Sequence, residues 1–211
     1  MRSRHLAPTL LLAGLTLLPL RAVRAQQAVT DGRIESGTLS FDGHATMGDF
    51  TGVTSTLSGE LTGAPELPGV RGWVEAPVAT LKTGKGKRDT DLNKSMESEK
   101  YPTIRYELDG VTQNGWRADT ADVTLHGRFL IHGVTREADL QGRVVIQDTR
   151  IRVLAQTPLN LKDYRIGGLS KMLGMLKMHE DILVHVDLTF ATDQAIGVSE
   201  AAVTAGGGGS Q

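Results

Sequence analysis

Arg88 and Asp89, with Lys82, Lys85 and Lys87 just before them, are the residues whose types and spacing best suit chemistry with a charged ligand. An arginine fork matches two phosphate oxygens at once and lysines add point charge, so Lys87 and Arg88 are the candidate contacts for an anionic headgroup. The competing reading pairs Arg88 within its own loop, and Asp89 and Asp91 are poor neighbours for a phosphate. Met172, Met175, Met178 and His179 form a second group, with the soft thioethers and imidazole that suit Cu(I). Leu173 and Leu176 lie between them, however, and methionine also fills irregular apolar space, so the segment reads as packing or cavity lining with no metal. His126, His132 and His185 fall on the polar side of their segments and read as solvated. His126 and His132 lie ~20 Å apart at ~3.3 Å per residue, too far to share a metal. His132 stands at a turn and helps to fix a hairpin. No Gly-x-Ser-x-Gly, no His-Glu-x-x-His and no Gly-x-Gly-x-x-Gly after a strand is present, so no catalytic residue is assigned and no cofactor is called for.

The elements that must position these groups are strands. Between Ala121 and Leu161 three segments keep a two-residue apolar alternation, with Val123, Leu125, Phe129 and Ile131, then Ala138, Leu140, Val144 and Ile146, then Ile151, Val153, Ala155, Leu159 and Leu161. They form an antiparallel meander with one wet face, turning at Gly133-Val134-Thr135. Upstream, Leu39 and Phe41 begin an alternation at Gly37, a corner follows around His44, Met47 and Phe50, and Val53, Leu57 and Leu61 resume the period. Val70 to Leu81 is a strand in which Pro77 demands an edge or a bulge. Thr90 to Met96 suits a short helix stopped by Tyr101-Pro102. Ile104, Tyr106 and Leu108 mark another strand, and Asn114-Gly115 signals a turn. Leu169, Met172, Leu173 and Leu176 recur at helical spacing within Gly168 to Met178, and Ile182, Val184, Val186, Leu188 and Phe190 make the last strand.

Residues 1–25 read as a secretory signal peptide, with Arg2 and Arg4 before an apolar run to Leu20 and small residues at Ala25, so the mature protein is expected to be periplasmic or secreted. Removing them takes four of the 23 basic residues and none of the 24 acidic ones, which leaves a net charge of about −5. That sign argues against nucleic acid and anionic membrane surfaces as partners, and no stable membrane insertion is expected once the signal is gone. With no cysteine the chain needs a core rather than disulfides, and thiol nucleophiles, thiolate zinc and cysteine-attached haem are excluded. Residues 26–36 form an N-terminal segment, 37–191 the folded domain, and 192–211 a flexible Gly-rich tail.

About eight one-sided antiparallel strands leave a closed barrel or a two-sheet sandwich, and the barrel is favoured. The fold class expected is all-β, an antiparallel eight-stranded lipocalin-like β-barrel with one or two short helices. Small and aliphatic inward candidates leave space at its centre. The expected lining is Phe41, Leu57, Ile104, Tyr106, Val123, Leu125, Phe129, Leu140, Val144, Val153, Met172, Met175 and Leu176, with the Leu169 to Met178 helix covering one mouth. A binding protein for a long apolar chain follows. The alternatives are a hydrolase or isomerase at the barrel mouth and a ligand-free structural β-module.

Three motifs in order, Arg88-Asp89 with Leu92, Tyr101-Pro102-Thr103-Ile104, and Gly127 through Ile131-His132-Gly133-Val134-Thr135, resemble the YceI-like family of exported lipid-binding proteins. The resemblance runs from about Thr38 to Phe190. It implies an extended lipocalin-like barrel whose apolar cavity holds a polyisoprenoid, quinone or fatty-acid-like lipid. The chain departs from the family pattern at Asp91, where histidine is frequent, and at Asn160-Leu161-Lys162, where an asparagine-arginine pair is frequent.

Overall fold

The computed structural model describes residues 28–46, 48–167 and 178–193. In them lie strands β1 (Gly32–Gly43), β2 (Phe50–Thr54), β3 (Ser58–Thr62), β4 (Arg71–Pro77), β5 (Thr103–Arg117), β6 (Thr120–Ile131), β7 (Val134–Gln147), β8 (Arg150–Asn160) and β9 (Asp181–Thr192), and one α-helix, α1 (Gly86–Ser95). Every pairing is antiparallel, and β9 closes the sheet by bonding to both β8 and β1. Leu39 pairs with Thr54, and the same register continued pairs Arg33 with Glu60. β2 and β3 are therefore two halves of one barrel strand, parted by Ser55, Thr56 and Leu57, and the barrel is closed and eight-stranded.

The alternation fixes which faces turn inward. Leu125, Phe129, Leu140, Leu188 and Phe190 are buried while their neighbours meet solvent. One end is packed shut by Val70, Val111, Ala121, Val123, Val144, Ile146 and Ile151. At the other end β2 has, among the described residues, no ladder partner on its outer edge beyond the reciprocal bonds of Val53 with Lys82, and α1 lies across the gap.

Four local expectations change. Asn114-Gly115 does not turn the chain. Asn114 is an extra residue in β5, where Gln113 pairs with Val123 and Gly115 with Asp122, and the turn comes at Ala118 in a left-handed conformation. Asp109 is a second such bulge, and the two coil this long strand around the barrel. The strand read over Val70 to Leu81 runs only to Pro77, which has a partner in β5 alone and so lies on a locally open edge. Pro77 ends β4 beyond the reach of β3, where its missing N–H costs nothing, and a 3-10 turn at Val78–Thr80 follows. Gly52 and Thr54 face inward and Val53 outward, the reverse of the period proposed for that stretch. The helix starts at Gly86 rather than Thr90 and so takes in Arg88 and Asp89. The expected helix within Gly168 to Met178 lies outside the described residues apart from Met178, which bridges to Ala45.

Candidate functional site

α1 presents Arg88, Leu92, Ser95 and Met96 to the barrel, a narrow stripe at helical spacing on an otherwise polar helix. Its start is fixed by Asp89, whose Oδ1 accepts from the Thr83 N–H at 2.8 Å and the Thr83 hydroxyl at 2.6 Å. Those bonds hold the Asp89 carboxyl below the usual carboxylate range. A depressed folded value means stability that is present above the unfolded value of ~3.9 and lost as the pH falls through the folded one. Asp89→Ala is accordingly expected to cost about 1 kcal/mol at neutral pH, the ordinary worth of a side-chain hydrogen bond that is lost. In urea melts the gap between wild type and variant should narrow from about pH 7 to about pH 3. A gap that stays constant with pH would disprove the role given to the carboxylate.

Beneath α1 lies an apolar chamber bounded by Phe41, Phe50, Leu81, Leu92, Met96, Ile131, Leu159, Leu161, Ile166, Met178, Ile182 and Val184. A second chamber lies deeper, bounded by Leu61, Val74, Ala76, Tyr106, Leu108, Leu125, Leu140, Val153, Val186, Leu188 and Phe190. Leu39, Ile104 and Phe129 line both, so the two chambers adjoin across these side chains as the outer and inner lobes of one apolar interior, called the channel below. The Tyr106 hydroxyl is spent on the Leu125 and Ala138 carbonyls, each 3.1 Å away, and burial pushes its phenol up. Among the described lining residues only Arg88 and Tyr106 carry titratable side chains.

At the mouth the Arg88 guanidinium lies 4.1 Å from the centre of the Phe50 ring, and Phe50 meets Phe41 edge to face at 6.1 Å. This chain of contacts spans the opening from β1 through β2 to α1. Arg88 makes no ion pair among the described residues, so the pairing within its own loop is not formed. Lys87, one helical step away, is exposed and lines neither lobe.

The structure thus brings Phe41, Ile104, Tyr106, Leu125, Phe129, Leu140, Val153 and Arg88 around the channel. Val123 and Val144 face inward but belong to the packed end, and Leu57 packs against the core between β2 and β3 without reaching either lobe. Met172, Met175 and Leu176 lie outside the described residues. Met96, Leu81, Leu159 and the β9 residues are among the lining residues beyond the expected set. The strict alternation of β9 was the signal for them, whereas nothing in the sequence points Met96 or Leu81 inward.

His132 corrects an expectation. It is buried, with Nδ1 donating to the Tyr164 carbonyl at 3.0 Å, Nε2 3.4 Å from the Glu97 carboxylate and the Tyr101 ring 4.5 Å away. With His132 and Gly133 both at positive φ, Ile131-His132-Gly133-Val134 is a two-residue hairpin, as the turn reading required. A Cβ on Gly133 would come within 2.5 Å of Tyr101. Residues of all three motifs therefore meet at the open end, where they secure the rim. His126 stands on the outer wall between Thr112 at 2.8 Å and Asp139 at 2.9 Å. That relay resembles a nucleophile with its base, but it faces away from the channel. His185 is half-buried against Asp42, 2.7 Å away, and with Thr51 lowers that carboxyl while tying β9, β1 and β2 together.

A closed barrel with an apolar channel and this rim is the architecture of a known class. The chain belongs to the YceI-like family, whose domain matches residues 32–190. Solved structures with the same fold include BcnA of Burkholderia cenocepacia, with a TM-score of 0.62 at 11% identity over 72% of this chain and 95% of that one. A polyisoprenoid-binding domain from Saccharophagus degradans, implicated in plant cell wall breakdown, gives 0.61 at 16% over 76% and 98%. The YceI protein of Campylobacter jejuni gives 0.54 at 12% over 86% and 92%. At these identities the likeness speaks for the fold. No curated protein matches the chain.

Proposed function

We propose that the protein is an exported, non-enzymatic carrier that holds one long-chain isoprenoid, quinone or related amphiphilic lipid in the barrel. The carrying observation is the pair of adjoining carbon-lined lobes, packed shut at one end and bordered at the other by a guanidinium that makes no ion pair among the described residues. Burial there is worth roughly 0.8 kcal/mol per CH₂, so a chain several isoprene units long gains ample affinity without a polar contact. The polyisoprenoid-binding neighbour and the family support this reading. The channel lining offers no acid-base pair among its described residues, which favours binding over a barrel-mouth hydrolase or isomerase. Unfilled interior space favours a carrier over a ligand-free module. Export rests on the signal-like residues 1–25.

Native mass spectrometry of the mature protein, before and after delipidation and reloading, tests the proposal. A copurified or titratable prenyl lipid is the expected result, and failure to retain any prenyl lipid, quinone or fatty acid would overturn it. Arg88→Ala should weaken prenyl phosphates about tenfold or more, the worth of a charged hydrogen bond, and leave quinones nearly unchanged. Equal losses for both would make Arg88 structural.

A further inference from the structure

The cationic rim of the channel has a geometry that the net charge conceals. Lys82, Lys85 and Lys87 are exposed, and with Arg88 they form a run in which no member makes an ion pair among the described residues. Residues 82–88 carry four cations and no acid, so although the Asp89 carboxylate held by Thr83 draws on Lys82 and Arg88, and Asp49 is engaged by His44 at 2.8 Å, the segment keeps an excess of positive charge. Beside the run lies one of the few large apolar side chains left in solvent, Val53, 41% exposed. Val53 and Lys82 are directly paired across an antiparallel bridge, so their side chains emerge on the same face. The Lys82 ammonium reaches only a neutral partner, the Ala79 carbonyl at 3.0 Å, so its charge is not cancelled, and an apolar residue flanked by exposed lysines beside the helix that covers an apolar channel is the composition of a surface that settles at a membrane interface.

We propose that the rim formed by Val53, Lys82, Lys85 and Lys87 docks the barrel mouth-first onto a bilayer rich in anionic lipid. The inference rests on the carrier reading for its purpose. A chain too apolar to cross water can then pass between bilayer and channel without leaving cover. Charge complementarity singles out the occupant, since the remainder of the protein is acidic and would turn away from the same surface. Docking is peripheral, and among the described residues no helix is long and apolar enough to cross a membrane.

Co-sedimentation of the mature protein with vesicles tests it, using phosphatidylcholine alone and phosphatidylcholine mixed in equal parts with phosphatidylglycerol. The protein should bind the mixed vesicles and not the neutral ones, and release them at ~1 M salt, where the screening length falls to ~3 Å. Each lysine near such a surface strengthens binding about fivefold, so Lys82→Gln/Lys85→Gln should weaken it roughly twenty-five-fold. Farnesol, an uncharged prenyl alcohol, should bind the double variant in solution as it binds wild type, because neither substitution touches the channel. Equal binding to both kinds of vesicle, or a double variant that sediments like wild type, overturns the proposal. Charge-dependent sedimentation without farnesol binding would leave the docking surface standing and remove the carrier reading instead.

Discussion

A Gly127→Ala variant is expected to lose about 3 kcal/mol or more of folding stability, a large share of the ~5–15 kcal/mol that holds a domain together. Gly127 pairs with Leu108 in the β5–β6 ladder, and the Tyr106 ring crosses directly over it so that its hydroxyl reaches the Leu125 and Ala138 carbonyls. A Cβ there would stand 2.1 Å from the Glu107 carbonyl oxygen and 2.7 Å from the Tyr106 ring. Neither can yield cheaply, because one is backbone of the paired strand and the other is pinned at its far end and packed 4.8 Å from Phe129. Urea unfolding followed by the fluorescence of Trp73 and Trp116 measures the loss. Gly86→Ala, in the first turn of α1 with open space around the new methyl, is the control and should not destabilise. A loss at Gly127 below about 1 kcal/mol, the ordinary size for a point mutation, would mean that the ring has room to move.

The second large effect concerns the length of chain that the channel accepts. Val153→Phe should lower affinity for a long prenyl chain at least tenfold while leaving a chain short enough for the outer lobe unaffected. Val153 lines the deeper lobe and not the outer one. The added ring takes the place of part of the ligand, and displacing only two methylene groups at ~0.8 kcal/mol each already exceeds a factor of ten. Overpacking adds a stability cost of about 1–3 kcal/mol, so binding is compared at a temperature where circular dichroism shows both proteins folded. Parallel losses for a ten-carbon and a forty-carbon chain would show that the ligand does not thread from the outer to the inner lobe.

Much of this arrangement could be read in the chain. The β6–β7–β8 meander, the hairpin at His132-Gly133, the last strand and the closed barrel follow from alternation alone, because a one-residue slip would put each apolar set in water. What alternation lacks is a coordinate along the barrel axis. Val123 and Val153 have the same inward signature, yet one is packed in the shut end and the other lines free space, a difference set by what lies across the barrel at each level. The burial of His132 was hidden for a related reason. Its partners, Glu97, Tyr101 and Tyr164, come from segments that have no periodicity to reveal where they dock. Asn114-Gly115 misled because a favourable local turn signal was overridden by the pairing of β5 with β6 through a bulge. Arg88 was found by its type, but its place at the mouth depended on the helix beginning at Gly86.

The closure between β1 and β9 bears on how the molecule forms. Gly32 pairs with Thr192 and Phe41 with Val184, so the seam joins the two ends of the domain, and β9 must also complete the edge of β8. No partial chain lacking β9 can seal the barrel, however well its meander pairs. Contacts so distant in sequence place the protein among slow folders, in the millisecond-to-second regime of β topologies, because loop closure must precede the bonds that reward it. Until the last strand arrives β1 and β8 both offer open edges, which makes the interval before closure the one in which neighbouring chains compete for them.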